Sequence, residues 1–475
     1  MSIDIEYFCS DLGNHERFVA TYGNNLRYIQ ETGDWLLWSD DEGWQKVEES
    51  CVYALADQVA KAIYDEAKDA PSSSREKLTY HALRSQEHTK IKAMVSMTAD
   101  RKPVNVSIKD FDSDPEKITV QNGVVNLRTG EKCNHSRDHL TLKRADVKYN
   151  PFSKSDKWFK FLDSIFLEDD KLIDWMQAAL GYSLTGKTDA QCFFVAYGLG
   201  ANGKSSLFET LLRIMGDYSG TAEFETFLSN DKSNVRAMEG VGNLRGLRLA
   251  VASEVGSTAK FNEATVKKVT GGDTLTGAVL GKGKFEFQPS HKLWFQCNHL
   301  PPVKDASHGF WRRVKVIPFL QKFEGTGIIP NMTEELLKDK EAIFAWLVEG
   351  AKKYLTDGLG PTPKAIDDVT EEYKSDNDTI ARFLKDCCQF GDQIEVPFQL
   401  ENQAGCYDRK KAIVTARQFY EEFSAWASYF KEVDYGEKWF LKFLEERGHK
   451  KIKQKQGYVF REVRIINFYI GRSRY

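Results

Sequence analysis

Apolar positions recur every three to four residues through several long stretches of the chain and alternate or cluster over short ones, which separates helices from strands. Near the amino terminus, LRYI and WLLWSDDEGWQKV are short aromatic pieces, with Asp40, Asp41, Glu42 and Gly43 between Trp38 and Trp44, and they predict a β-hairpin. VYALADQVAKAIYDEAKDA (52–70) has helical spacing and is broken by PSSSREK; residues 79–100 predict one further helix. ITVQNGVVNLRTGE predicts two short strands about Asn122-Gly123 and a second turn at Thr129-Gly130. YNPFSK (149–154) marks a boundary, after which KWFKFLDSIF and KLIDWMQAALGYSL make residues 155–186 helical.

From residue 190 to 320 the texture changes. CFFVAYG, LRLAVASE and KLWFQCN are apolar runs of strand length, with helical stretches between some of them, so an α/β unit with a partly parallel sheet is expected. DGLGPTPKAIDD (357–368) reads as a linker. Beyond it, FLKDCCQF, the helices ARQFYEEFSAWASYF and EKWFLKFLEERG, and the strand-like pieces KIKQKQGYVF and REVRIINFYI predict a winged-helix-like module.

Composition narrows the class. The 475 residues are 41% hydrophobic and 28% charged, an ordinary soluble balance. No apolar stretch approaches the roughly 18 residues needed to span a bilayer, and the acidic start, MSIDIEYFCSDLGNHERF, is no secretory signal. Eight scattered cysteines, without a CxxC pair or histidines at zinc spacing, read as reduced packing residues of a cytosolic protein. Net charge is −3, yet residues 409–475 hold 16 Lys+Arg against 8 Asp+Glu. One basic terminal block fits either a polyanion surface or a solvated lysine-rich helical face.

GLGANGKS (198–205) matches G-x-x-x-x-G-K-[ST], with the strand CFFVAYG leading in and the amphipathic SSLFETLLRIMG leading out. Gly198, Gly200 and Gly203 let the backbone approach phosphate oxygens. The amides around Asn202, Gly203 and Ser206 and the helix start would face the anion. Lys204 would reach the β- and γ-phosphates of ATP, and the Ser205 hydroxyl would ligate Mg²⁺. LRLAVASE ends in Glu254, an acid suited to order the Mg²⁺ shell or polarise the attacking water; Ser253 stands where a second acid often sits. KLWFQCN ends in Asn298, either a turn asparagine or a polar sensor of the γ-phosphate. In GFWRRVKVIPF, Arg312 and Arg313 are a surface pair or a source of one guanidinium for a neighbouring subunit's nucleotide; adjacent strand residues face opposite ways, so only one can serve. Between acid and sensor, a hairpin bent at GKGK (281–284) presents Lys282 and Lys284, either to solvent or to DNA phosphates.

This series, together with the TGGD turn, resembles a superfamily 3 helicase, and more narrowly the helicase part of the phage and plasmid primase-helicase family that includes the poxvirus-type proteins. GNHERFVATYGNNLRYIQETGDWLLW and NGVVNLRTGE resemble the domain preceding that helicase, and RQFYEEFSAWASYF with its wing resembles the family's carboxyl-terminal domain. The resemblance implies an α/β fold with a P-loop, AAA+-like ATPase core (189–356), a small α+β amino-terminal domain (1–148), a helical collar (149–188) and a basic winged-helix-like domain (365–475). It further implies a homo-oligomeric ring, usually a hexamer, that moves 3′→5′ on single-stranded DNA and opens forked DNA during replication of a virus, plasmid or mobile element. Lys204 and Ser205 would bind phosphate and Mg²⁺, Glu254 would be the acid, Asn298 the sensor, Arg312 or Arg313 the finger, and Lys282 or Lys284 would touch the DNA. Host cytoplasm is the expected setting, with no membrane partner. Many members carry a primase in front of this region; no primer synthesis is expected of this chain, so a separate primase or polymerase would be a partner. The rival expectation is an ATP-dependent origin-binding switch that does not unwind processively.

Overall fold

The computed structural model describes residues 9–229, 234–254, 260–279, 283–303, 308–325, 329–390, 412–430, 434, 436–454 and 457–465. The fold is mixed α/β, with several sheets, one of them wholly parallel.

The first unit opens with the helix Asp11–Tyr22 and the strands β1 (Leu26–Ile29), β2 (Asp34–Ser39) and β3 (Gly43–Val47). β2 and β3 form the expected hairpin, with Trp38 opposite Trp44 and their rings 5.4 Å apart, edge to face. β4 (Asn105–Val106) adds in parallel to β1. The helix Glu49–Asp69 buries Val52, Ala56, Val59 and Ala60 against Phe18, Leu26 and Trp35, and Ile63 and Ala67 against Leu78 and Ala82. Instead of one helix over 79–100 there are two, Ser72–Ser85 and His88–Ala99. PSSSREK starts the first of them: Pro71 stands at its N-cap, where a missing N–H costs nothing.

β5 (Lys117–Val120) and β6 (Gly123–Asn126) are the two expected strands, and β7 (Lys132–Cys133) adds a third after the turn at Thr129-Gly130. Their Ile118, Val120, Val125 and Leu127 share one core with residues 145–366. Residues 155–186 divide into Asp156–Phe166 and Asp170–Tyr182, because Leu167 and Glu168 both take left-handed φ (54° and 57°) and Asp169 caps the second helix. That second helix crosses Lys340–Asp357 at a pair of glycines. A Cβ on Gly181 would lie 2.1 Å from Ala351 N, and one on Gly350 would lie 2.0 Å from Gln177 O.

The parallel sheet holds β8 (Phe193–Tyr197), β9 (Ser219–Thr221), β10 (Leu249–Ser253), β13 (Lys292–Cys297) and β14 (Val314–Pro318), in the order β14-β8-β13-β10-β9. β8, β10 and β13 are buried on both faces, which is why they read as continuous apolar runs; the edge strand β9, Ser-Gly-Thr, carries no such signal. The antiparallel hairpin of β11 (Leu275–Val279) and β12 (Gly283–Phe287) enters β13 directly through residues 288–291. The expected linker at 357–368 is shorter, since a helix runs from Lys364 to Asp376. It buries Ile366 and Tyr373 and takes the N–H of Val316 on Thr370 Oγ1 (3.1 Å), covering the β14 edge.

The base of β13 is bound to the segment that leads into the sheet. Lys292 is buried; its ammonium donates to the carbonyls of Thr185, Lys187 (3.3 Å) and Ser290 (2.9 Å) and lies 4.9 Å from the Tyr182 ring centroid. Beside it, buried His291 donates Nε2–H to Val269 O (3.1 Å), and burial pushes its pKa down to about 4. The ring is therefore neutral in the fold. Below the ordinary value of about 6.5 the unfolded chain takes up a proton that the folded chain refuses until about 4. Stability is expected to fall across that window, by about 3 kcal/mol at its acid end. Urea unfolding of the unsubstituted chain and of His291→Gln checks this: the gap between them should narrow as pH falls, and a constant gap would refute it.

The carboxyl-terminal module packs the helices Thr379–Cys387, Ala416–Phe430 and Glu437–Glu446 around Phe383, Phe419, Phe423, Trp426 and Phe440. β15 (Cys388–Phe390) precedes β16 (Ile413–Thr415). The piece KIKQKQGYVF is itself the wing, folding back as β17 (Lys451–Gln454) and β18 (Gly457–Arg461), with β16 on the other side of β18. β19 (Val463–Ile465) pairs with β15, not with the wing.

Candidate nucleotide site

β8 is apolar and buried to Ala196; the helix Lys204–Met215 is fixed on the sheet by Leu207, Phe208, Leu211 and Ile214. The loop between them turns through left-handed φ at Gly200 (89°), Ala201 (48°) and Gly203 (84°). Space demands glycine at its two ends. A Cβ on Gly198 would lie 2.3 Å from Phe319 O, and one on Gly203 would lie 2.5 Å from Ile165 Cγ2. At Gly200 nothing lies within 4 Å, so the loop's middle faces open space. Neighbouring segments tie the loop down on both sides. Gly198 N–H donates to Cys297 O (3.2 Å), Asn202 Nδ2 to Phe319 O (3.2 Å), and Phe323 N–H to Ala201 O (2.8 Å).

Lys204 is only 5% exposed, and its ammonium donates to Gly198 O across the loop. Burial lowers its pKa from the ordinary lysine value, against the opposing influence of Cys297 and Glu254. Ser205 is exposed and Ser206 half-buried on the first helical turn. A cation, a helix start and an open glycine loop together fit a phosphate group. Among the described residues no group of three or more His, Cys, Asp or Glu could hold a metal ion. Ser205 and Glu254 fit Mg²⁺ as that ion is usually held, by few protein oxygens beside phosphate and water.

Glu254 stands one residue past β10. Its Oε2 accepts N–H bonds from Asn298 (2.7 Å) and His299 (3.1 Å), so the acid of one strand is held by the turn after the next. Asn298 is exposed, immediately past β13, and β13 lies between β8 and β10. The chain leaves β8 toward the face of Leu207 and Phe208, and leaves β13 toward the face of Phe310 and Trp311. Departures to opposite faces open a crevice beyond the carboxyl ends of adjacent parallel strands. Cradle, sensor position and acid all border that crevice.

Arg312 and Arg313 lie at the other end of the sheet. Arg313 O accepts from Phe193 N (2.9 Å), at the first residue of β8, whereas the cradle follows the last. A strand of five residues separates them, about 17 Å. Arg312 is exposed, with Nη2 donating to Gln191 Oε1 (2.8 Å). Arg313 is half-buried and donates from Nη1 to Gly309 O, while its buried Nε has no partner. Lys284 is exposed on β12; Lys282 lies outside the described residues. Sequence reasoning missed Phe319 and Phe323, which wall the loop, and Cys297, buried beside Lys204. Their contacts are backbone ones, and backbone donors and acceptors leave no mark on residue type.

Two families match the chain: one described as D5 N terminal like, over residues 15–167, and a family of unknown function (DUF5906), over 196–313. The first ends where Leu167 breaks the helical pair, and the second runs from the cradle to the arginine pair. L207/L206 of Acanthamoeba polyphaga mimivirus, provisionally named a helicase, is 29% identical over 299 residues, covering 59% of this chain and 31% of its own length. The similarly named 022R of Frog virus 3 is 30% identical over 181 residues, covering 37% of this chain and 18% of its own. These matches support the helicase part of a phage and viral primase-helicase family. The chain spans less than a third of the length of either viral relative. The apo structure of the NrS-1 C-terminal region shares the fold, with a TM-score of 0.53 at 13% identity, over 95% of this chain and 98% of that one. The two matched segments meet in one core, because Phe161 and Ile165, from the first, pack against Gly203 of the second.

Proposed function

We propose that the chain is the motor of an ATP-driven DNA helicase acting in replication of a viral or mobile element. One observation carries the reading. The cradle, Asn298 and Glu254 border one crevice, while Arg312 and Arg313 stand a strand's length away, where only another subunit's nucleotide is within reach. The loop amides and Lys204 bind the phosphates of ATP, and Ser205 and Glu254 share Mg²⁺; when bound, Mg·ATP supplies the scissile phosphoanhydride and the divalent charge. Glu254 Oε2 leaves the Asn298 and His299 amides to orient the attacking water, and the Asn298 side chain hydrogen-bonds that water or the γ-phosphate. An arginine from the neighbouring subunit completes the site, so hydrolysis depends on assembly. Lys282 and Lys284 hold single-stranded DNA in the ring. Six subunits and 3′→5′ movement are what the resemblance implies, with a separate primase or polymerase as partner. No helix among the described residues is long and apolar enough to cross a membrane, and the viral relatives fit action in the host cytoplasm.

The test measures ATP hydrolysis with and without single-stranded DNA, and strand displacement on a forked duplex. Hydrolysis that DNA stimulates, coupled to displacement, is expected. Stimulation without displacement would replace the helicase reading with the origin-binding switch. Stimulation by unfolded protein and not by DNA would remove both.

A further inference from the structure

The hairpin of β11 and β12 does not move alone. The helix Asn234–Gly242 ends against it with backbone on backbone. A Cβ on Gly242 would lie 2.5 Å from Ala278 O, and one on Gly277 would lie 2.5 Å from Gly242 Cα. Three residues past that junction, Arg245 N–H donates to Gly242 O (3.1 Å), and its guanidinium carbon sits 5.1 Å from the Phe285 ring centroid. Arg245 is exposed and forms no ion pair with any described residue. Its neighbour across Gly246 is another cation, Lys143: a Cβ on Gly246 would lie 2.9 Å from Lys143 Cε. A guanidinium resting on an aromatic face keeps its N–H edge free for an anion and has less freedom to lose when one binds.

We propose that Arg245 is a second phosphate-binding residue for single-stranded DNA, carried on the same rigid unit as Lys284. The proposal rests on the DNA-motor reading and adds to it a binding residue outside the hairpin. Lys284 and Phe285 alternate across β12, so Lys284 and Arg245 lie on opposite faces of the hairpin and hold different phosphates. Each hairpin then grips the strand at two points, which resists rotation of the strand about a single lysine.

The experiment measures binding of an oligothymidylate to the full chain by fluorescence anisotropy, with Mg²⁺ and a non-hydrolysable ATP analogue, across a salt series. Arg245→Gln keeps a planar group over Phe285 but removes the charge. It is expected to weaken binding about fivefold at about 0.1 M salt and to flatten the log–log salt slope by about 0.7 for each phosphate no longer neutralised. Arg245→Lys, which keeps charge without the stack, should fall between, and melting temperature should not change in either variant. Lys284→Ala runs beside them. Unchanged affinity and slope in Arg245→Gln, with binding weakened in Lys284→Ala, overturns the assignment of Arg245 and leaves the hairpin reading standing. Unchanged binding in both overturns the hairpin reading as well.

Discussion

Lys204→Ala is expected to lower ATP hydrolysis about a thousandfold and to abolish strand displacement while leaving the chain folded. The size follows from losing a fixed positive charge where negative charge develops, about 4 kcal/mol of the barrier. Folding should be nearly indifferent, for a physical reason. Lys204 is buried with one hydrogen bond, to Gly198 O, and burial already disfavours its charged form. Removing the ammonium relieves that desolvation, and Gly198 O keeps the Gly200 N–H (2.9 Å) as a partner. Phosphate release and thermal melting, measured on one preparation, separate the outcomes. Near-normal turnover would remove the loop from the reaction; a collapsed melting temperature would make Lys204 a folding residue.

An equal mixture of Lys204→Ala and Arg312→Ala chains, each inactive alone, is expected to recover about a quarter of the unsubstituted rate. The arginine pair lies a strand's length from its own cradle, so on the proposed reading a head-to-tail interface supplies it from the next subunit. With random mixing, about one interface in four joins an intact cradle to an intact arginine. Arg312 is the member to test first because it is exposed, whereas Arg313 is turned back to Gly309 O. The same mixture made with Arg313→Ala identifies the finger. No recovery in either mixture, with assembly intact by light scattering, would refute action in trans.

β8, β10 and β13 are legible because they are buried on both faces and so read as apolar runs, whereas β9, Ser-Gly-Thr at the sheet edge, leaves no such mark. The cradle is legible because close approach of backbone demands glycine, and glycine is visible in a sequence. Less legible is everything decided by sterics between distant segments. The 79–100 and 155–186 stretches keep helical spacing straight through their breaks, so the break at Leu167-Glu168 shows only as two left-handed residues. KIKQKQGYVF reads as one strand because its turn carries no proline and its single glycine opens the returning strand. The pairing of Glu254 with the Asn298 and His299 amides cannot be read at all, since an amide is present at every position but proline. Which strand lies between cradle and acid is equally hidden, because strand order is a property of the sheet and not of any run.

β13 can be viewed as a pushrod. At its base it continues from the lysine hairpin and is seated by Lys292 and His291; at its tip it holds Glu254 by two amides. Bonded to β8 on one side and β10 on the other, the strand joins the root of the hairpin to the strands of the cradle and the acid. On the proposed reading, a tug on the nucleic acid would reach the Glu254 latch through this one strand, and an idle subunit would stay out of gear.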